Sequence, residues 1–366
     1  MQKSAVRFKI AAVVCKNTHF SRQEAILDTD PRLSQLMKWL EKIAVEKNRG
    51  TPCPSGFSRP VPASADASFR RYFRVTRCGE TFIVMDAPPT QEPCEPFVRI
   101  SGWLRQMGLN APEVLAWDET KGFMLLSDLG QQTYQQALTL QTADRLYGDA
   151  LSALVRLQVK GAEYVARLPA YDAQRLGDEM ALFAHWLVGI HLNLEVPADW
   201  EQVVQALVEN ALAQPQVFVH RDYHSRNLMV SDPNPGILDF QDALVGPLTY
   251  DAVSLLRDCY LRWPEQKVIQ WRDAWFAQLV EAGVQQRRDH AAFVRAFDLM
   301  GVQRHLKAAG IFARLWHRDG KARYLEDIPN TLRYIVEVGR AWPETASLAH
   351  WVAERVLPAL EAKNGH

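Results

Sequence analysis

Apolar positions recur at helical spacing in several separate stretches of the chain. Leu33, Leu36, Met37, Leu40, Ile43 and Ala44 fall on one face, the 3.6-residue pattern of an amphipathic helix. Asp30-Pro31 precedes them as N-cap and first helical residue, so a helix is predicted from there to about residue 46. Pro96 to Gly108 carries Phe97, Ile100, Trp103, Leu104 and Met107 at the same spacing and ends on glycine, a common helix stop. Leu146, Ala150, Leu154 and Leu157 form another stripe, Met180 to Leu192 a further one rich in aromatics, and more helices are expected from Trp263 onward.

Between the first two helices the pattern becomes strand-like. Phe69–Val75 and Thr81–Met85 are β-branched and aromatic runs around a Cys78-Gly79-Glu80 turn, which reads as a hairpin. Val114–Trp117 and Gly122–Leu126 read as two more strands. Short runs return at Val217-Phe218-Val219, Leu228-Met229-Val230 and Ile237-Leu238, the last preceded by the turn-forming Ser231–Gly236. The predicted architecture is a small α/β lobe over residues 30–127 and a larger, mostly helical lobe over residues 128–366, with residues 1–29 as a loose extension. There are no repeats, low-complexity tracts or coiled-coil heptads.

Composition narrows the function. A chain of 366 residues with 48% hydrophobic content supports a sizeable core. Lys plus Arg and Asp plus Glu are each 42, so no overall basic field invites nucleic acid or an anionic membrane. Cys15, Cys53, Cys78, Cys94 and Cys259 are odd in number and never in CxxC spacing, which suggests neither zinc nor a disulfide scaffold and makes the reducing cytoplasm the natural compartment. No run approaches the roughly twenty apolar residues that span a bilayer. Ile10–Cys15 is too short for a signal peptide and is interrupted by Lys16-Asn17 without a small-residue cleavage site. No protein partner is indicated.

The densest chemistry lies in His220-Arg221-Asp222-Tyr223-His224-Ser225-Arg226-Asn227, followed twelve residues later by Asp239. The polar octet joins two strands, and a third ends on Asp239, a layout that gathers Asp222, Asn227 and Asp239. Phosphoryl transfer needs one carboxylate to orient the attacking hydroxyl and accept its proton. It also needs an amide oxygen and a second carboxylate to hold Mg²⁺, a hard cation that prefers oxygen. Asp222 fits the first role, Asn227 and Asp239 the second.

H-x-D-x-x-x-x-N followed by a strand-borne Asp is the kinase catalytic set. With Asp239-Phe240-Gln241-Asp242 in place of Asp-Phe-Gly, the chain resembles the aminoglycoside phosphotransferase and choline kinase-like family more than the protein kinases. The resemblance implies an α+β, bilobal, protein-kinase-like fold with a β-rich small lobe, ATP as co-substrate and Mg²⁺ as cofactor. It makes Leu125-Leu126-Ser127-Asp128-Leu129-Gly130 the hinge whose backbone meets adenine, so Ser127 and Leu129 become nucleotide-binding candidates. Ala65 and Ser68 would approach phosphate as small residues of the nucleotide-covering hairpin. His220 would brace the loop, and Asp251 would cap the helix carrying Val253, Leu255 and Leu256 and brace the loop as well.

One departure stands out. The second hairpin strand of a kinase carries a phosphate-gripping lysine, yet here it reads Val84-Met85-Asp86-Ala87-Pro88-Pro89. Strand alternation sends Arg70 and Arg74 to one face and Arg71 to the other, and Arg71 is the candidate for phosphate. Without the lysine, a pairing role for Glu92 or Glu95 has no support.

Substrate choice points to Gly301–Leu315, a predicted helix dense in hydrogen-bonding side chains, with Gln303 and Lys307 on one face and Arg304 in line with Ala308. The motifs Asp66–Arg74, Met85–Pro89, His220–Asn227, Gln303-Arg304-His305 and Gly310–Arg314 together look like a narrower group, the bacterial anomeric kinases for N-acetylmuramate and N-acetylglucosamine. That likeness spans about residues 30–360 and includes the missing lysine. It implies transfer from ATP to the C1 hydroxyl of the amino sugar in peptidoglycan recycling, leading toward UDP-N-acetylmuramate. Arg304 or Lys307 would meet the lactyl carboxylate, and Asp242 or His224 the sugar hydroxyls. A kinase for an aminoglycoside or choline fits less well, since a cationic substrate calls for an acidic pocket and this helix is basic. A non-catalytic nucleotide-binding regulator is opposed by the intact Asp222, Asn227 and Asp239.

Overall fold

Alternation along the hairpin strands sends one set of apolar side chains inward, and the first helix covers them. The computed structural model describes residues 30–47, 56–63 and 70–364. It comprises two units, one of Met1–Cys94 and Glu113–Asp128, the other of Glu95–Pro112 and Leu129–His366.

In the smaller unit, helix α1 (Pro31–Lys47) begins where Asp30 accepts hydrogen bonds from the Arg32 and Leu33 N–H groups, at 2.9 and 3.2 Å. Strands β1 (Val61–Pro62), β2 (Arg71–Arg77), β3 (Glu80–Asp86), β4 (Val114–Asp118) and β5 (Phe123–Ser127) form an antiparallel sheet in the order β1-β2-β3-β5-β4. Phe73, Val75, Val84, Phe123 and Leu125 pack against Leu33, Leu36, Trp39, Leu40 and Ile43 of α1. The β2–β3 turn has positive φ at Cys78 and Gly79, 55° and 84°, the two-residue geometry that matches strand twist. Cys78 is disulfide-bonded, although the cysteine spacing suggests no disulfide scaffold; scattered spacing carries no signal of which thiols meet in space. Gly122 is required twice over. Its φ is +70°, and a Cβ there would lie 1.8 Å from the Ala87 carbonyl oxygen.

The end of β3 explains the missing lysine locally. Asp86 is fully buried and accepts from Arg32 Nε at 2.9 Å and from its cross-strand neighbour Arg71 at 3.0 Å. Buried carboxylates persist when they are paired and hydrogen-bonded, and here two arginines do both.

In the larger unit, α2 (Glu95–Gln106) packs Phe97 on Phe240, ring centroids 4.8 Å apart; the sequence reading had drawn the small lobe unbroken through this segment. Helices α3 (Ala143–Lys160), α4 (Ala173–Leu182), a π-helical continuation over Phe183–His191, α5 (Trp200–Leu212), α6 (Tyr250–Leu256), α7 (Glu265–Glu281), α8 (His290–Asp319) and α9 (Ile328–Gly339) dominate it. Helix α8 approaches the α4 end so closely that a Cβ on Gly310 would meet the Leu182 and Phe183 backbone at 2.4 Å. Two short antiparallel ladders carry the loop of interest: β6 (Gln216–Val219) pairs with β9 (Leu244–Pro247), and β7 (Leu228–Met229) with β8 (Gly236–Ile237). Among the described residues no helix is long and apolar enough to cross a membrane.

Candidate active site

The buried strand Val217-Phe218-Val219 leads into the His220–Asn227 loop, and backbone contacts fix each step of it. One carboxylate, Asp251, accepts from the His220 N–H at 2.7 Å and the Arg221 N–H at 2.9 Å. Arg221 turns through φ 80°, a left-handed conformation that a non-glycine residue holds only when its surroundings impose it. Asp251 does not cap its helix as expected: it lies within α6, whose N-cap is Thr249, and its side chain is spent on the loop. Burial pushes the Asp251 carboxyl up to about 7, although both N–H donors pull the other way.

His220 is fully buried, and burial holds its imidazole down at about 4. Its neutral Nδ1 accepts from the Asp222 N–H at 3.2 Å, so His220 braces the loop. The His224 N–H donates to the Asp222 carbonyl at 3.1 Å and the Asn227 N–H to the His224 carbonyl at 2.9 Å. Asp258 accepts from the Ser225 N–H at 3.0 Å, and the Tyr223 hydroxyl reaches the Ala150 carbonyl of α3 at 2.8 Å.

The three candidate chemical residues come together. Asn227 Nδ2 donates to the Asp222 carbonyl at 3.0 Å and to Asp239 Oδ2 at 3.2 Å. Asp239, exposed and itself at φ 61°, also accepts from Gln241 at 2.8 Å. With its nitrogen engaged, Asn227 presents Oδ1 with no partner among the described residues. An amide oxygen beside a carboxylate suits Mg²⁺ that completes its shell with phosphate and water. No group of three or more His, Cys, Asp or Glu among the described residues is placed to hold a metal unaided. The Asp222 carboxylate likewise has no hydrogen-bond or ion-pair partner among them. Burial would raise its pKa, but Lys307, His224 and Arg221 outweigh that and hold it below the ordinary carboxylate value.

The substrate candidates separate. Lys307 Nζ donates to the Tyr250 hydroxyl at 2.8 Å and pairs with Glu179 at 3.1 Å. Arg304, only 6% exposed, has Cys259 Sγ at 3.4 Å as its hydrogen-bond partner and no carboxylate partner among the described residues. Asp258 and Tyr250 act on its charge without an ion pair, which leaves the guanidinium able to receive an anion. His224 is buried edge-on to Tyr260, and its Nδ1 has no hydrogen-bond partner; Arg226 stacks over the same ring at 3.4 Å. Asp242 is exposed and makes no hydrogen bond or ion pair among the described residues.

For the nucleotide candidates the outcome is mixed. Ala65 and Ser68 lie outside the described residues. Arg71, expected on phosphate, is instead held between Asp86 and Asp30; local alternation gave its face and could not give its partners. Arg70 pairs with Glu92 at 2.9 Å and Arg74 with Asp128 at 2.6 Å. The Ser127 N–H is committed to the Glu113 carbonyl at 3.0 Å, whereas the Leu129 backbone has no partner among the described residues.

Glu179 and Tyr250 escaped the sequence reading. Glu179 had a usable signal: with Leu176, Met180 and Phe183 it sits at i, i+3, i+4, i+7 spacing, a carboxylate on an apolar stripe.

The family model of the phosphotransferase enzyme family matches residues 60–297. An N-acetylmuramate/N-acetylglucosamine kinase of Pseudomonas putida is 47% identical over 332 residues, covering 89% of this chain and 97% of that protein. One of Pseudomonas aeruginosa is 45% identical over 335 residues, covering 89% and 98%. A choline kinase structure from Cryptosporidium parvum superposes with a TM-score of 0.58 at 11% identity, over 86% of this chain and 99% of that one, a likeness of fold alone.

Proposed function

Because the chain belongs to the phosphotransferase enzyme family, we propose that it is an ATP-dependent kinase for the anomeric hydroxyl of N-acetylmuramate and N-acetylglucosamine. The observation that carries this reading is the Asp222 carboxylate: ionised and without a partner among the described residues, on a residue whose main-chain carbonyl Asn227 links to Asp239. The sugar C1 oxygen attacks the γ-phosphorus of ATP, the bond to the ADP oxygen breaks, and the hydroxyl proton passes to Asp222. Products are ADP and the sugar 1-phosphate. Asn227 Oδ1 and the Asp239 carboxylate would hold Mg²⁺, which when bound neutralises charge developing on the phosphates.

Two relatives bearing both sugars in their names support the substrate class. On this reading Arg304 receives the lactyl carboxylate that distinguishes N-acetylmuramate, in preference to Lys307, whose charge Glu179 already offsets. His224 Nδ1 receives a sugar hydroxyl. Leu129 offers its free backbone to adenine. The cytoplasm, where ATP is made available, is the matching compartment.

The test offers ATP and Mg²⁺ with N-acetylmuramate, N-acetylglucosamine, kanamycin and choline in parallel, reading products by phosphorus NMR. An anomeric phosphate from both sugars, and none from kanamycin or choline, is expected. Transfer to neither sugar would overturn the substrate assignment.

A further inference from the structure

Three polar side chains converge on the Glu179 carboxylate. Arg221 Nη2 donates to Oε1 at 2.6 Å, Lys307 Nζ lies 3.1 Å from the same oxygen, and the Tyr171 hydroxyl donates to Oε2. Glu179 is 7% exposed on the inner stripe of α4, where a carboxylate survives only if paired. Burial raises its carboxyl, yet Lys307, Arg221 and the hydroxyl prevail and hold it below the ordinary value. It is therefore charged.

The same two cations bear on Asp222. Arg221 precedes it in the loop, and Lys307 is the leading positive influence on its carboxylate. Asp251 of α6 also bears on Asp222, each disfavouring the charge of the other. Opposite charges attract strongly in a partly dry site, yet among the described residues both cations make their ion pair with Glu179 and neither with the Asp222 carboxylate. What separates the two situations is Glu179, which holds both cations by direct contact.

We propose that Glu179 is a positioning residue for phosphoryl transfer, holding Lys307 and Arg221 off the Asp222 carboxylate so that it stays free to take the hydroxyl proton. The inference rests on the reading of Asp222 as the base. A cation paired directly with that carboxylate would occupy the oxygen that must accept the proton and would weaken it as a base.

Glu179→Gln removes the charge and keeps the size. With Lys307 released, kcat should fall about tenfold or more, while KM for ATP and for N-acetylmuramate each stay within about threefold. Adding Lys307→Met removes the competing cation and should recover much of the lost kcat. Glu179→Asp, which keeps the charge, should retain more activity than Glu179→Gln. A merely structural Glu179 predicts the reverse of the rescue, a double variant worse than either single one. If circular dichroism shows that Glu179→Gln does not fold, Glu179→Asp with and without Lys307→Met carries the same comparison, since its shorter reach leaves one cation unheld. Undiminished kcat in the Glu179 variant, or a loss that Lys307→Met deepens, overturns the proposal. Wild-type turnover in Asp222→Asn would instead overturn the reading of the base, so the two failures are distinguishable.

Discussion

Asn227 and Asp239 meet side chain to side chain, Nδ2 to Oδ2 at 3.2 Å, across the gap between the loop and the residue two positions beyond the end of β8. That contact engages the amide nitrogen of Asn227 and leaves Oδ1 as its remaining polar atom. Replacing Asn227 by Ala removes one oxygen of the proposed cation pair and leaves the carboxylate. Titrating Mg²⁺ against initial rate should then show a half-saturating concentration raised about tenfold or more, since each oxygen ligand matters to a dication bound through few protein groups. An unchanged Mg²⁺ curve would remove Asn227 from the metal site.

Asp251 sets a pH dependence of stability. Its folded-state value of about 7 lies above the ordinary 3.8 because of burial, so the folded chain holds this proton more tightly than the unfolded chain. The contribution is complete below the unfolded value and is lost as pH rises through the folded one. Thermal melts should therefore show Tm falling more for the wild type than for Asp251→Asn between about pH 4 and pH 7. At about pH 4, where the gap between the two is widest, the variant should be less stable by about 1–3 kcal/mol, because one of two buried N–H groups then faces an amide nitrogen. Parallel pH slopes would contradict the assignment.

Arg304 should decide between the two sugars. Arg304→Met removes the only buried cation here that lacks a carboxylate partner among the described residues. The kcat/KM for N-acetylmuramate should drop about 10- to 100-fold, the scale of a charge-assisted contact of roughly 1.5–3 kcal/mol. That for N-acetylglucosamine, which has no lactyl group, should change little. Equal losses on both sugars would place Arg304 elsewhere in the mechanism.

The glycine in α8 carries a stability prediction independent of the chemistry. A Cβ at Gly310 would meet backbone atoms of Leu182 and Phe183, which no rotamer change can relieve. Gly310→Ala should cost about 1–3 kcal/mol or more, the range for overpacking, read as a lowered urea midpoint. A neutral result would mean that the helices separate at little cost.

What could be read from the chain follows from how far each signal reaches. The first helix, the hairpin and the His220–Asn227 loop are local patterns of period, turn chemistry and spacing, and they return nearly residue for residue. The absence of a lysine in β3 was equally visible. Its structural counterpart was not, because Asp86 is met by Arg32 from a helix 54 residues earlier. The same limit misplaced Arg71: alternation fixes which face a side chain takes, and only the fold decides that two carboxylates wait there. Glu179 and Arg304 were matters of pairing as well. Their importance lies in Lys307 being paired with Glu179 while Arg304 has no carboxylate partner among the described residues, a distinction that depends on contacts between segments far apart in the sequence.

The account turns on Asp222, and its most direct test is Asp222→Asn given ATP, Mg²⁺ and N-acetylmuramate, with phosphorus NMR for the anomeric phosphate and calorimetry for nucleotide binding. Turnover should fall by about 10² to 10⁴, the contribution of a general base, while nucleotide binding persists. An anomeric phosphate formed at the wild-type rate would contradict the assignment of the base.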